Sequence, residues 1–414
     1  MNVYLLSKAV KAIGLLLTLS CTILLGASAA RAELDDGSDH LAANSFGAGY
    51  ESSLLPIIRV FTQGDLDRAL QLTDQHLNEF PKSQVGHLIR ADVFNAMSAH
   101  APQLDSATAQ QSKQLVGLRH QIKNRWLHDQ VHQATAAKLV PANLVIMGRH
   151  KYVLVADLQL GRLYLYQNNN GQANLIKDYY LSVGKAGFGK QIEGDNKTPV
   201  GVYSIIKHIE GVKLPDLYGK GAFPIDYPNR YDKSLQRTGY GIWLHGTPSD
   251  AYARAPWSSE GCFVLSNHDL LDIQQYLDVD SRPPVILSDS IEWIDAAELE
   301  IRRQGYLQVI ESWKSDLESL DIQAYLTHYS PENLNFGGVD YDSWAKRKIS
   351  QNKSKSFVQI ALDIESLFIY PGSSDMFIVK LKQHYLSNDF VGEIDAEQYW
   401  QRDSLGQWRI IYEG

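Results

Sequence analysis

The chain has 414 residues, 39 of them Lys or Arg and 47 Asp or Glu, for a formal net charge of −8. This length supports two or three domains with cores of their own. The acidic balance argues against a general binder of nucleic acid or of anionic lipid surfaces.

Residues 1–32 read as an export signal. Lys8 and Lys11 precede an apolar run from Ala12 to Gly26, and Ala30-Arg31-Ala32 places small residues at −3 and −1 of a cut before Glu33. The run is shorter than the roughly 20 residues a membrane span needs. An uncleaved anchor and a lipidation site at Cys21 are the competing readings; the second is weakened because Thr18-Leu19-Ser20 has no leucine three positions before the cysteine. Cleavage leaves 36 Lys and Arg against 47 acidic residues, a net charge of −11, in a periplasmic or otherwise extracytoplasmic protein without a stable membrane span. Residues 33–50, acidic and rich in Gly, Ser and Ala, read as a disordered leader.

A helical module is expected over residues 51–148. Leu66 to Phe80 carries apolar positions at helical spacing, Pro81-Lys82-Ser83 breaks the run, and a second helix follows through Leu88, Ala91, Val93 and Phe94. This unit resembles a single tetratricopeptide-type hairpin, but no fixed period recurs, so a solenoid is not expected. Residues 104–136, rich in Gln and Ala, continue as helix, giving a packing or dimerisation module. The pattern turns to strand over 150–290: Tyr152–Asp157, Arg162–Tyr166, Tyr179–Gly184 and Thr198–Ile205, with a turn at Asn168–Gly171, a loop at Gly187–Gly189 and one helix near Asp269–Leu277. Tyr218–Tyr231, with Pro224 and Pro228, reads either as a lid or as an ordinary surface loop. Residues 300–330 return to helix, and 356–370, 374–387 and 396–412 alternate with turns. A helix followed by antiparallel strands over 300–414 resembles a nuclear-transport-factor-like cone. The fold class is therefore multidomain α+β: helical N-terminal module, central mostly-β mixed sandwich, C-terminal α+β cone.

The candidate chemistry lies at Cys262, in Ser258-Ser259-Glu260-Gly261-Cys262-Phe263, seventeen residues after His245 in Trp243-Leu244-His245-Gly246-Thr247. With Cys21 removed, Cys262 is a lone thiol in an oxidising compartment, either inert and buried or reactive. The nearby histidine and the flanking glycines favour the reactive reading. Thiolate is the attacking species, and His245 is the candidate base. Gly261 lets the chain turn tightly, and its N–H, with that of Cys262, is a candidate oxyanion donor. Ser259 orients the histidine or the turn. Gly246 lets the chain pass close to the ring. No Asp or Asn is placed by sequence to orient His245, so the third member stays open, a backbone carbonyl being one candidate. Trp243, Trp257 and Gly246 are candidate substrate contacts.

These blocks resemble the signature of L,D-transpeptidase catalytic domains of the YkuD type. Thr198-Pro199-Val200-Gly201, the strands Tyr152–Tyr166 and Ser182-Val183-Gly184 fit the same pattern, over about 150–288. The resemblance implies a cysteine acyl-enzyme formed on the stem peptide of peptidoglycan. Cys262 attacks the carbonyl of the third residue's L-centre and D-alanine leaves; an amine then resolves the intermediate (L,D-transpeptidase, the reading that the family fold and motif favour), with water (L,D-carboxypeptidase) as the alternative. No cofactor or metal is implied. Two positions depart from the family: Glu260 stands where many members have His, and Val264 where many have Arg. Arg254 or Arg230 is the candidate replacement for that charge. Phe263-Val264-Leu265-Ser266-Asn267 and the cone resemble a divergent branch that includes cell-shape L,D-carboxypeptidases. A metal enzyme finds no His-Glu-x-x-His or Cys-x-x-Cys pair. A non-catalytic wall-binding scaffold remains the rival class. A homodimer and a wall-associated protein are the further candidate partners.

Overall fold

The computed structural model describes residues 49–98, 109–135, 139–334 and 340–414. The expected export signal, Cys21 and nearly all of the expected leader lie outside the described residues.

Four helices come first: α1 (Tyr50–Thr62), α2 (Leu66–Glu79), α3 (Gln84–Met97) and α4 (Ala109–Thr135). Asp65 and Ser83 cap α2 and α3 by accepting from the Arg68 and Gly86 N–H groups. Each such cap stabilises its helix by about 1 kcal/mol. Leu54, Ile57, Ile58, Ala69, Val85, Ile89 and Val93 form the module's core. Tyr50, inside the segment expected as leader, is buried in that core as well. The helical part ends at Thr135, short of the expected boundary at 148. Leu139–Pro141 is a strand (β1) paired antiparallel with Trp293–Asp295, because its apolar residues pack with the C-terminal core.

The central domain holds β2 (Tyr152–Asp157), β3 (Arg162–Asn169), β4 (Gln172–Tyr180), β5 (Val183–Gly184), β6 (Gly201–Ser204), β7 (Ile209–Glu210), β8 (Gly221–Pro224), α5 (Arg230–Ser234), β9 (Trp243–His245), β10 (Trp257–Ser259), β11 (Phe263–Val264), α6 (Asn267–Gln274) and β12 (Pro284–Ser288). One sheet has the order β4-β3-β2-β12-β6 and a second the order β11-β9-β8-β7. A shared core joins Leu154, Leu163 and Leu165 of the first sheet to Phe223, Leu244 and Phe263 of the second, with Leu270 and Ile273 of α6. Burial of these side chains is the main force closing the sandwich. Tyr218–Tyr231, expected as a loop, holds a strand and the start of a helix. Gly221–Pro224 is a wholly buried strand, and Tyr231 stacks on Tyr399 with ring centroids 4.0 Å apart.

After β13 (Trp293–Asp295) come α7 (Ala296–Glu318), α8 (Ile322–Thr327) and α9 (Tyr341–Lys353). A four-stranded antiparallel sheet follows: β14 (Val358–Ile369), β15 (Met376–Ser387), β16 (Val391–Arg402) and β17 (Trp408–Glu413). Two details differ from expectation. Helix α9 buries only Trp344 and Ala345, too few apolar positions to show a period. The expected strand 396–412 is two strands, because Asp403 accepts from Leu405 and Gln407 N–H and turns the chain. The other face of the β2–β3–β12 sheet packs through Val153, Tyr164 and Ile286 against Phe368, Ile378 and Tyr399 of the C-terminal sheet. No helix among the described residues is long and apolar enough to cross a membrane.

Candidate active site

Strands β9 and β11 run parallel, with Phe263 opposite Leu244 and Val264 opposite His245. Seventeen residues of sequence therefore collapse into neighbouring strands, and Cys262 sits at the start of one, beside the strand that ends in His245. The turn before Cys262 is braced on three sides. Gly261 has φ +125°, and a Cβ there would lie 2.8 Å from the Lys197 carbonyl oxygen, so only glycine fits. Thr198 Oγ1 donates to the Gly261 carbonyl (3.0 Å) and accepts from Gly184 N–H (2.9 Å). Ser259 Oγ donates to the Cys262 carbonyl (2.5 Å) and accepts from Gly261 N–H (3.2 Å). Ser259 thus orients the turn and not the histidine. The Gly261 N–H, expected as an oxyanion donor, points back to Ser259, because the positive φ rotates that peptide away from the cleft.

His245 is buried, at 3% exposure. Its Nδ1 lies 2.7 Å from the Gly246 carbonyl oxygen. A carbonyl can only accept, so Nδ1 carries the proton and Nε2 is left as the basic nitrogen. Burial lowers the imidazole pKa to about 4, with the Arg254 charge adding to the same effect and the Gly246 bond opposing it. The Tyr218 ring stands edge-on to His245 at 5.0 Å and tilted against Trp243 at 4.9 Å. Gly246 is buried and donates to the Tyr218 carbonyl (3.1 Å), so it is not a substrate contact. A Cβ at Gly246 would meet Asn267 Oδ1 at 2.2 Å. Asn267 fills that space, accepting from Lys220 N–H and donating to the Thr247 carbonyl.

The Cys262 thiol is partly buried and donates to the Gly241 carbonyl (3.3 Å). Burial raises its pKa, while the Trp243 backbone N–H and the Arg254 charge pull it down. Thiol and imidazole both rest neutral in this state. Arg254 Nη2 donates to the Ser258 carbonyl (2.6 Å) and is charge-coupled to Cys262 and Glu260. Arg230 is elsewhere, in a cavity shared with Lys380 and Tyr412 of the C-terminal domain. Val264 is buried and its backbone pairs with Ser182. Glu260 is exposed and meets Lys185 at 3.1 Å, a contact worth little. Trp257 is 48% exposed, its ring edge-on to His120 at 6.1 Å. Among the described residues, no group of His, Cys, Asp and Glu is placed to hold a metal ion.

The loop between His245 and Cys262 is held by the helical module. Tyr252 stacks on Tyr50 (5.2 Å) and meets Phe80 edge-on (5.2 Å). From the other side Tyr180 Oη donates to the Arg254 carbonyl and Ser182 Oγ to the Ala255 carbonyl. The module is itself pinned to the sandwich by Glu51, which pairs with buried Arg125 (2.7 Å) and Arg162 (2.9 Å). Arg125 lies over the Tyr180 ring at 3.8 Å. Gly241 and Tyr252 carry no local sequence signal that ties them to the site.

Residues 151–287 match the L,D-transpeptidase catalytic domain (YkuD), and residues 306–414 match the Cds6 C-terminal NTF2-like domain. Among solved structures, Bd1075 of Bdellovibrio bacteriovorus is 28% identical, with a TM-score of 0.57, over 67% of this chain and 97% of that one. The helical cell shape determining protein Pgp2 of Campylobacter jejuni is 26% identical, with a TM-score of 0.55, over 66% of this chain and 95% of that one. A point mutant of the same Pgp2 gives 26% identity and a TM-score of 0.56, over 71% of this chain and 98% of that one. Comparison with curated proteins yields no match.

Proposed function

With a YkuD-type L,D-transpeptidase catalytic domain carrying a C-terminal NTF2-like domain as the premise, we propose that this protein cleaves peptidoglycan stem tetrapeptides through a Cys262 acyl-enzyme. The observation that carries the reading is the placement of Cys262, on a braced glycine turn, on the strand neighbouring that of a buried histidine whose Nδ1 is fixed by a carbonyl. Nε2 of His245 takes the thiol proton as Sγ attacks the carbonyl carbon of the third residue. The Cys262 N–H is the candidate donor to the oxyanion, since Gly261 N–H is engaged. Collapse breaks the amide bond, His245 returns the proton to the leaving amine, and D-alanine departs from a thioester. Water, deprotonated by His245, then releases the tripeptide. Arg254, the cation coupled to Cys262, is the candidate partner of the substrate's terminal carboxylate.

Water is the favoured acceptor. Val264 replaces the usual arginine, and the pairing of catalytic and NTF2-like domains fits the cell-shape branch, to which a cell shape determining neighbour adds support. An amine acceptor, giving a cross-link, is the second reading, because nucleophile and base serve both. Either reaction occurs in the cell wall, outside the cytoplasm, after export directed by residues 1–32. The test is mass spectrometry of disaccharide-tetrapeptide incubated with the protein, with and without an amine acceptor. Tripeptide plus free D-alanine without dimer supports the carboxypeptidase. A cross-linked dimer or an acceptor adduct selects the transpeptidase. No product in either case removes the stem-tetrapeptide reading in favour of protein–wall linkages as substrate or of a wall-binding scaffold.

A further inference from the structure

A groove of about 600 Å³ runs beside the candidate active site, between the helical module and the loop Ala253–Ser258. Its polar lining is Gln84 and Gln114 with Gln121, Arg254 and Ser258, over a base of Gly117 and Leu118. Among the described residues no carboxylate lines it. Beside the Arg254 cation, and with the Ser258 hydroxyl already donating to the Ala255 carbonyl, three carboxamides both donate and accept hydrogen bonds without charge, which suits a neutral ligand rich in hydroxyl and acetamido groups. The volume lies in the range of small-molecule sites and holds a disaccharide.

The groove is built on fixed walls. Tyr252 is stacked in the helical core, and α4 is locked by the pairing of Arg125 with Glu51. Gly117 lets α4 come close to the loop, since even a Cβ there would sit 3.3 Å from the Ala255 methyl. Arg254 and Ser258 belong to both the groove and the nucleophile loop. A ligand in the groove therefore lies next to a peptide on Cys262. One wall also comes from outside the matched catalytic domain, which begins at residue 151.

We propose that this groove is a saccharide subsite, which binds the N-acetylated sugars of the glycan strand while their attached stem peptide is cleaved. The inference rests on the stem-peptide reading. It makes the helical module a specificity element that selects peptide still joined to glycan.

The test uses the full mature chain and the double variant Gln84→Ala/Gln114→Ala, both side chains being exposed, so that an unchanged melting temperature is expected. Wild type should cleave disaccharide-tetrapeptide with kcat/KM at least about tenfold above free tetrapeptide, expressed in KM. The variant should lose most of that ratio while cleaving free tetrapeptide as wild type does, since loss of two ligand hydrogen bonds weakens binding by about tenfold or more. Equal kcat/KM on both substrates in wild type, or a preference that survives in the variant, overturns the subsite. A parallel fall on free tetrapeptide also overturns it, because the groove then holds peptide. If neither substrate is cleaved, the stem-peptide reading fails by itself. Calorimetry with the peptide-free N-acetylglucosaminyl-N-acetylmuramic acid disaccharide then decides: saturable binding weakened in the variant supports the groove, and absence of binding to wild type overturns it.

Discussion

Tyr252, in the loop that joins His245 to Cys262, lies stacked on Tyr50 of the first helix with ring centroids 5.2 Å apart and planes 17° apart. Two residues later the same loop carries Arg254, the cation coupled to Cys262. The helical module thus sets the position of a charge in the candidate site without supplying it. Tyr252→Ala removes a large aromatic from that contact and should destabilise the protein by about 3 kcal/mol. It should also lower kcat/KM on disaccharide-tetrapeptide by roughly 10–100-fold as the loop loosens. Tyr252→Phe keeps both ring contacts and should behave as wild type. Thermal melts and initial rates on the two variants check this; a Tyr252→Ala enzyme of normal kcat/KM would remove the link between module and site.

Thr198 is the joint between two separate segments, donating to the Gly261 carbonyl and accepting from Gly184 N–H. Thr198→Val keeps the shape and leaves both buried partners unsatisfied, a cost of about 1–3 kcal/mol each. The turn before Cys262 should then relax, lowering kcat more than it raises KM. Thr198→Ser restores the hydroxyl and should recover most of the rate. Rates that fall equally in both variants would assign the role of Thr198 to its methyl packing instead.

Burial favours the neutral thiol at Cys262 and the neutral imidazole at His245, and the pH behaviour follows. Burial raises the Cys262 pKa above the ordinary thiol range, so alkylation by iodoacetamide should be slow at pH 7 and still rising beyond pH 9. Arg254→Gln removes a charge that stabilises the thiolate and should push the profile higher still. His245, held at about 4, stays a free base down to that pH, so the acid limb of kcat/KM should fall near pH 4 and not near 6.5. A labelling profile that levels off below pH 7 would instead establish a resting thiolate–imidazolium pair.

How much of the fold and site is legible in the sequence depends on the range of the interaction. The sandwich strands Tyr152–Asp157 and Arg162–Tyr166 are short apolar runs bounded by turns, so local pattern reveals them. Cys262 and His245 stand out because one is the cysteine outside the expected export signal and follows a glycine, and the other precedes a glycine. Gly246 reads as a substrate contact in sequence, yet its space is taken by the Asn267 amide from α6, a contact no local pattern encodes. Gly261 reads as an oxyanion donor, a role that its bond to Ser259 uses up; the spacing of Ser259 and Gly261 fits either geometry. The loop expected at Tyr218–Tyr231, as a lid or as plain surface, holds a strand for a related reason. Proline and tyrosine signal a loop locally, while burial of Phe223 in the core of the sandwich makes the segment a strand.

Acid stability gives a last test, with opposing signs. Burial lowers His76, His150 and His245 to about 4, against about 6.5 in the unfolded chain. Between those values the unfolded state binds more protons. The stability these groups contribute is therefore complete above about pH 6.5 and is lost as pH falls to about 4. For His245, nearly fully buried, the loss is about 3 kcal/mol. Asp157 acts the other way, because burial raises it to about 6. Its folded state gains protons first, which adds stability as pH falls from about 6 toward 4. Burial of Asp92, Asp226 and Asp232 and the Asp269 bond to His268 act in the same direction as Asp157, so the slope between about pH 6.5 and about 4.5 sums opposing groups and a single-site variant is what isolates one of them. His76 lies away from the candidate site, held between Ser53 and Ser83 hydroxyls at 2.7 Å each. His76→Gln keeps hydrogen-bonding capacity but cannot titrate, so its melting temperature should lose less toward low pH than that of wild type over the same window. An unchanged slope in that variant would mean that His76 protonates in the folded protein as readily as in the unfolded chain.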